Sequence, residues 1–133
     1  MIDYFNSIYT AVAKELRKRV PGVLVTSEID DGPVKRFPCV QIEENNNLPV
    51  HIDSAGHSKY AAVSLRVRVY SNENTGRIAE ARSIVGIVDS VLESLKIYRK
   101  SFVPLNGLYN NSVYRIECSY GATIREDGMI YRN

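Results

Sequence analysis

The sequence is poor in the residues that carry common chemistry. It has two cysteines, Cys39 and Cys118, and only two histidines among 133 residues. Two cysteines this far apart do not make a disulfide framework or a cysteine-based zinc site, so we expect both to be reduced and apolar in character. The formal net charge is only +2, with both signs mixed along the chain, which argues against a nucleic-acid-binding arm or an acidic tail.

Long hydrophobic runs are missing as well. No apolar stretch approaches the roughly 18 residues of a membrane span, and the N-terminus has an acid, Asp3, ahead of its cations, unlike a secretory signal. We therefore expect a soluble protein made in a cytoplasm, without membrane contact. The 44% of hydrophobic residues suits one domain, spanning residues 1–133, with a single core.

Two segments have helical periodicity. The first, about residues 3–19, repeats the apolar residues Phe5, Ile8, Tyr9, Val12 and Leu16 and ends with a cluster of cations. The second, about residues 76–96, has a broad stripe predicted to be core: Ile78, Ala81, Ile84, Val85, Val88, Val91, Leu92 and Leu95. Asn74 or Thr75 could cap it, and Gly86 in its middle suggests close contact with another backbone.

The remaining periodic segments are strands. In "YAAVSLRVRVY" the residues Val63, Leu65, Val67 and Val69 share one face, and Ser64, Arg66, Arg68 and Tyr70 share the other. Further strands are predicted in "VLVTSEI", "FPCVQIEE", "IYRKSFVPL" and "VYRIECSYGATIRE", with "IYRN" pairing back or forming a terminal edge. The element order α-β-β-β-α-β-β-β predicts an α+β fold. We expect a two-layer sandwich whose mostly antiparallel sheet has both helices on one face.

Between two predicted strands, residues 45–59 read "NNNLPVHIDSAGHSK". Their apolar residues follow neither the helical nor the strand periodicity. A segment this long and polar predicts an irregular loop outside the monomer core, with a role in assembly.

The candidate catalytic and metal-binding groups are weak. His51, Asp53 and His57 are suitable zinc ligand types, but their spacing matches no compact motif, so we interpret the histidines as loop residues without a metal. No motif of the sequence sets a serine or cysteine beside a base that a third group orients. The adjacent acids of "DDG" and "IEEN" are expected to point in different directions, so they do not form an acid/base pair. Gly76 lacks the lysine and further glycines of a phosphate-binding loop. We expect no enzyme activity, cofactor or metal.

Three arginines offer an alternative. Arg66, Arg68 and Arg115, with nearby tyrosines, could form a basic aromatic surface for nucleic acid. Tyr114, however, alternates onto the core side with Ile116, Cys118 and Tyr120. Glu43 and Glu117 are expected to share the arginines' face, which favours a mixed-charge surface that is solvated or paired with another subunit.

The successive segments "FPCVQIEENNN", "VSLRVRVYSNENTG", "AEARSIVGIVDSVL" and "YRIECSYGATIREDGMIYR" give the chain a family resemblance over almost its whole length. It resembles the tail terminators of long-tailed bacteriophages and prophages, also called tail-completion, tail-to-head joining or minor capsid proteins. The resemblance rests on structural motifs and brings no catalytic residue. It implies a fold of a sheet flanked by helices, similar to the one predicted above.

The resemblance also implies a function. A terminator forms a ring, usually of six subunits, that caps the tail tube, ends its polymerisation and meets the head-tail connector. Its partners would be other copies of itself, the tube protein and the connector or stopper protein, with DNA passing through the lumen without specific binding. The location would be the tail or neck of a virion, after synthesis in a bacterial cytoplasm.

For such a ring we predict that the interfaces include Asn45, Asn46, Asn47, Leu48, Val50, His51, Ile52, Arg66, Arg68 and Arg115. A neighbouring neck or head-completion protein is the nearest alternative function. A nucleic-acid-binding module using the three arginines and a small hydrolase using His51 or His57 are alternatives of other classes.

Overall fold

The computed structural model describes residues 4–27, 36–52, 58–73, 76–107 and 113–125, without the side chains of residues 49–52, 58–60, 106, 107 and 125. These residues form two helices and five strands. In chain order they are α1 (Phe5–Arg19), β1 (Leu24–Thr26), β2 (Cys39–Ile52), β3 (Ser58–Ser71), α2 (Arg77–Ser94), β4 (Tyr98–Gly107) and β5 (Val113–Arg125).

The five strands form one sheet with the order β1-β2-β3-β5-β4. Strand β1 pairs with β2 in parallel over three residues, and the other neighbours are antiparallel. The predicted α+β fold, with two helices and a mostly antiparallel sheet, is therefore confirmed. The predicted final strand "IYRN" lies outside the described residues.

Helix α1 packs through the apolar positions that its periodicity predicts. Ile8, Val12 and Leu16 are buried, whereas the basic residues of its last turn are exposed, where they suit the negative end of the helix dipole. The chain leaves the helix through Gly22, whose φ of 75° lies in the left-handed region that favours glycine.

Helix α2 buries Ala81, Ile84, Val85, Val88 and Leu92 against the sheet and α1. Two predictions for this helix are wrong. Ile78 is 47% exposed, because burial begins one turn later at Ala81. Gly86 is also exposed, and a Cβ added there would meet no described atom within 4 Å apart from its chain neighbours and the nearby backbone of its own helix, so no close approach of another backbone explains it. The residue before the helix is Gly76, which offers no side-chain cap, and Asn74 and Thr75 lie outside the described residues.

The strands bury one face against the helices, as their alternation predicts. The central core residues are Val40 and Ile42 from β2, Val63, Leu65, Val67 and Val69 from β3, and Tyr114, Ile116, Cys118 and Tyr120 from β5. The opposite face carries no helix in the described part of the chain, and it is called the open face below.

The prediction of an irregular loop at residues 45–59 is wrong for most of its length. Residues 45–52 continue β2 and residues 58–59 begin β3, with the pair joined as far as Ile52 and Ser58. A register shift between Glu44 and Asn46 marks a bulge, which interrupts the alternation. Strand β1 pairs with β2 only as far as Gln41, so residues 45–52 form an outer strand of the described sheet. Exposed asparagines and Pro49 are tolerated in such a position. Asp53 and His57 lie outside the described residues.

Candidate functional site

The open face is crossed by a network of ion pairs at its centre. Arg66 lies 3.1 Å from the carboxylates of both Glu43 and Glu117, and Arg68 lies 3.3 and 3.5 Å from the same two groups. Arg115 is 3.8 Å from Glu117. The five side chains come from the neighbouring strands β2, β3 and β5. Glu43 contacts the guanidinium groups of Arg66 and Arg68, and Glu117 contacts those of all three arginines.

The shared face predicted for these arginines and glutamates is confirmed. Each arginine of the alternative nucleic-acid surface has a carboxylate within 4 Å, so part of its charge is already neutralised within the chain. A phosphate that bound here would have to compete with these carboxylates. The network is therefore a mixed-charge surface, and its ion pairs link three strands at the centre of the sheet.

The predicted interface residue Asn45 joins this network. Its side-chain oxygen accepts a hydrogen bond from Arg66 at 3.1 Å, and its amide nitrogen lies 3.4 Å from the Ser64 hydroxyl. Asn46 and Leu48 are exposed further along β2. Val50, His51 and Ile52 have their backbone in β2, but their side chains are not among those described.

One corner of the open face is apolar, which the sequence analysis did not predict. Cys39, Tyr70 and Val113 are buried there beneath Leu24 and Phe37. Burial raises the pKa of the Cys39 thiol to about 11, so it stays protonated at neutral pH. Both cysteines are free and buried, which confirms their predicted role as apolar residues.

The outer strand β4 presents another feature that the sequence analysis missed. Tyr98, Val103 and Leu105 are 48%, 55% and 41% exposed. By their pairing with Gly121, Glu117 and Arg115 of β5, all three lie on the open face. The signal that could have revealed them is the position of Pro104, since proline inside a strand indicates an outer strand.

On the helix side, β4 and β5 are fastened to α2 by a polar cluster. The buried Tyr120 hydroxyl donates a 2.6 Å hydrogen bond to Asp89 Oδ1, and Arg99 contacts Asp89 Oδ2 at 3.0 Å. Burial, and then the bond to Asp89, raise the pKa of Tyr120 well above its usual range. The guanidinium groups of Arg82 and Arg99 also lie 5.1 and 5.2 Å from the centre of the Phe102 ring. The cluster therefore links β4 and β5 to helix α2.

A shallow groove on α2 is lined by Arg19, Ser83, Gly86, Ile87 and Ser90, none of which is a general base. No three His, Cys, Asp or Glu side chains cluster as potential metal ligands in the described part of the chain. Neither of the two described helices is long and apolar enough to cross a membrane.

Comparisons with known proteins show a likeness of fold to a solved structure. No protein-family model matches the chain, and no curated protein matches it either. Its fold is similar to that of a chain in the solved structure "Virion of native gene transfer agent (GTA) particle". The TM-score is 0.60 at 12% sequence identity, and the likeness covers 94% of this chain and 99% of that chain. At this identity the likeness establishes the fold.

Proposed function

We propose that this chain is a structural protein of a phage-type virion and acts as its tail terminator. The observation that carries the proposal is the fold likeness to a subunit of a gene transfer agent virion, which covers nearly the full length of both chains. In this role the chain ends tail polymerisation and joins the tail to the head connector.

The surface chemistry supports an assembly role. Among the described residues, the open face carries an ion network of three arginines and two glutamates. A ring through which DNA moves needs a wall that does not hold phosphates strongly, because each arginine that neutralises a phosphate adds to affinity. A network in which glutamates occupy the arginines is compatible with such a wall.

A ring also needs two different contact patches on each subunit, because its interfaces repeat head to tail around a closed rotation. The described sheet has two distinct outer edges, β4 on one side and β1 with the outer part of β2 on the other. Strand edges are common docking elements, since their free backbone groups can accept a further strand. We propose self-association into a ring, a hexamer by the resemblance, with the tube protein and the connector as the axial partners.

We also propose that the chain is not an enzyme and that it needs no cofactor. The positions best placed for contacts are polar amides, ion-paired arginines and exposed aliphatic side chains, which suit a binding surface. The DNA in the lumen would make no specific contact.

Deletion of the gene in the phage or prophage that encodes the chain tests this function. We expect tails of irregular, overgrown length and filled heads without tails, because the tube would lack both its stop and its docking surface. Complementation with the wild-type gene should restore uniform tails. Tails of normal length beside unjoined heads would instead assign the chain to head completion, and normal infectious particles would exclude both functions.

A further inference from the structure

The three arginines of the open-face network are paired to different degrees. Arg66 lies 3.1 Å from the carboxylates of both Glu43 and Glu117. Arg68 lies 3.3 and 3.5 Å from the same two groups. Arg115 has a single ion pair in the described part of the chain, at 3.8 Å from Glu117, and its Nε is buried there without a hydrogen-bond partner. Since three guanidinium groups face two carboxylates, the excess positive charge is least compensated at Arg115.

The strand register places one residue of every strand in line with Arg115. Arg115 pairs with Tyr70 of β3 on one side and with Leu105 of β4 on the other. Further out, Tyr70 pairs with Cys39, and Cys39 pairs with Leu24. Paired residues point to the same face of a sheet, so these five side chains form one row on the open face. Arg115 is the only charged member of this row, called the corner row below: Leu24, Cys39, Tyr70, Arg115 and Leu105.

The immediate surroundings of Arg115 are mostly apolar. Along β5, alternation places Val113 on one side of Arg115 on the open face and Glu117 on the other. Val113 and Tyr70 are buried in the apolar corner, whereas Leu105 is 41% exposed. A guanidinium in such surroundings loses hydration, which is costly unless hydrogen bonds replace it. The Arg115 side chain is 26% exposed, so a partner can still reach it from solvent.

We propose that Arg115 anchors a docking site for an aspartate or glutamate side chain of another virion protein, and that apolar residues beside that acid cover the corner row. A carboxylate can accept two parallel hydrogen bonds from a guanidinium, and it would neutralise the excess charge of the network. A DNA backbone is a regular line of phosphates and would leave the apolar row uncovered. The inference rests on the assembly role of the proposed function and identifies one contact by which the chain holds a partner.

The described surface of this chain does not supply the matching segment. Its exposed acids are Glu44, Glu73 and Glu93. None of the three has a large exposed apolar side chain within three residues of it along the chain, since the nearest are Leu48, Ile78 and Tyr98. A different protein is therefore favoured over a second copy as the occupant.

NMR of the arginine side chains tests the contact on the purified full-length chain. The probe is the capped peptide acetyl-Leu-Glu-Leu-amide, and acetyl-Leu-Gln-Leu-amide is its uncharged control. At up to about 10 mM, the first peptide should shift the Arg115 Nε–H signal in a saturable way, since a single anchor contact binds weakly. The Arg66 signal should move less, because Arg66 is already paired. No saturable shift, an equal shift with the control peptide, or a response to inorganic phosphate alone would overturn the inference.

Two matched variants separate docking from a structural role. Arg66→Gln removes an arginine with two close ion pairs, whereas Arg115→Gln removes one with a single longer pair. If both arginines served only the fold, Arg66→Gln would be the more damaging change in every assay. We expect opposite orders: Arg66→Gln lowers the melting temperature more, and Arg115→Gln abolishes the response of the Leu105 backbone amide to the peptide. A peptide response that survives in Arg115→Gln would contradict the anchor.

The assembled particle extends the test to the natural partner. When the gene deletion is complemented, Arg115→Gln should give about tenfold fewer infectious particles than Arg66→Gln, or fewer still, because loss of an anchor arginine weakens an interface by that order. Suppressors of Arg115→Glu should change an aspartate or glutamate to lysine or arginine in the gene of another virion protein. Suppressors within this gene would instead make a second copy the occupant and overturn the assignment.

The outcome for Arg115 is separable from the function. A wild-type yield with Arg115→Gln, together with overgrown tails after gene deletion, would reject this site and keep the terminator. A peptide response at Arg115, together with normal tails after deletion, would keep the site and reject the terminator.

Discussion

The two faces of the same sheet differ in what holds them together. On the helix-covered face, Leu65 and Val67 of β3 are almost completely buried in one apolar cluster with α1 and α2. On the open face, Arg66 and Arg68 of the same strand are partly exposed and tied by ion pairs to two neighbouring strands. Adjacent residues of β3 thus belong alternately to the apolar core and to the ion network of the open face.

The difference separates stability from recognition. Burial of apolar area is the dominant favourable contribution to folding, whereas exposed ion pairs each contribute about 0 to 1 kcal/mol. The helix-covered face therefore holds the fold, and the open face and its edges are available for contacts between subunits. The predictions below test this division, beginning with the largest expected effect.

A charge placed in the helix-covered face should unfold the domain. Val88 is completely buried, so Val88→Asp would leave an unpaired carboxylate in the core. That costs several kcal/mol, against a typical total stability of about 5 to 15 kcal/mol. We expect insoluble or unfolded protein by circular dichroism. Ser83→Asp, at an exposed position of the same helix, is the control and should melt like wild type. A denaturant melt showing less than about 1 kcal/mol lost in Val88→Asp would place this stripe in solvent.

Neighbouring truncations on β3 compare the two faces directly. Leu65→Ala removes a buried side chain and should lower the free energy of unfolding by about 2 to 5 kcal/mol. Arg66→Ala removes two partly exposed ion pairs and should cost about 1 kcal/mol or less, with a cost that shrinks in high salt. Equal losses in urea melts would mean that the open face contributes to stability as much as the core does.

The polar cluster beneath α2 should give an intermediate effect. Tyr120→Phe deletes the hydroxyl that donates to Asp89, and a hydrogen bond to a charged group is worth about 1.5 to 3 kcal/mol. Tyr9→Phe deletes a bond to the carbonyl of Val25, a neutral acceptor, and should cost only about 1 kcal/mol. Thermal melts of both variants provide the comparison, and a smaller loss for Tyr120→Phe than for Tyr9→Phe would contradict a stabilising role of the polar cluster.

The smallest expected change is a gain. Gly86→Ala should stabilise the monomer by up to about 1 kcal/mol, because alanine favours the helix and the added Cβ meets no described atom within 4 Å outside its chain neighbours and the nearby backbone of its own helix. Gly22→Ala should instead destabilise it, since φ of 75° disfavours a side chain. A loss of stability in Gly86→Ala, measured by the same melts, would show that its exposed face is more crowded than the structure indicates.

Much of the helix-covered face was predictable, because regularly spaced apolar residues indicate which side of a helix or strand is buried. The alternation of Val63, Leu65, Val67 and Val69 requires one buried face, and the structure confirms it. The shared face of Arg66, Glu43 and Glu117 follows from the same alternation once the strands pair.

The outer strands were not predictable in the same way. Residues 45–52 lie in an outer strand after a bulge, where no buried face imposes a period, so their polar sequence indicated a loop. The exposure of Val103 and Leu105 depends on β4 being the last strand, which is a property of the strand order.

The position of the chain within the assembled particle tests the central claim most directly. An electron-microscopy map of the phage or prophage particle should show copies of this fold as a ring between the end of the tail tube and the head connector, with the DNA path through its centre. Density for this chain at another site in the particle, or a particle that contains none of it, would contradict the account.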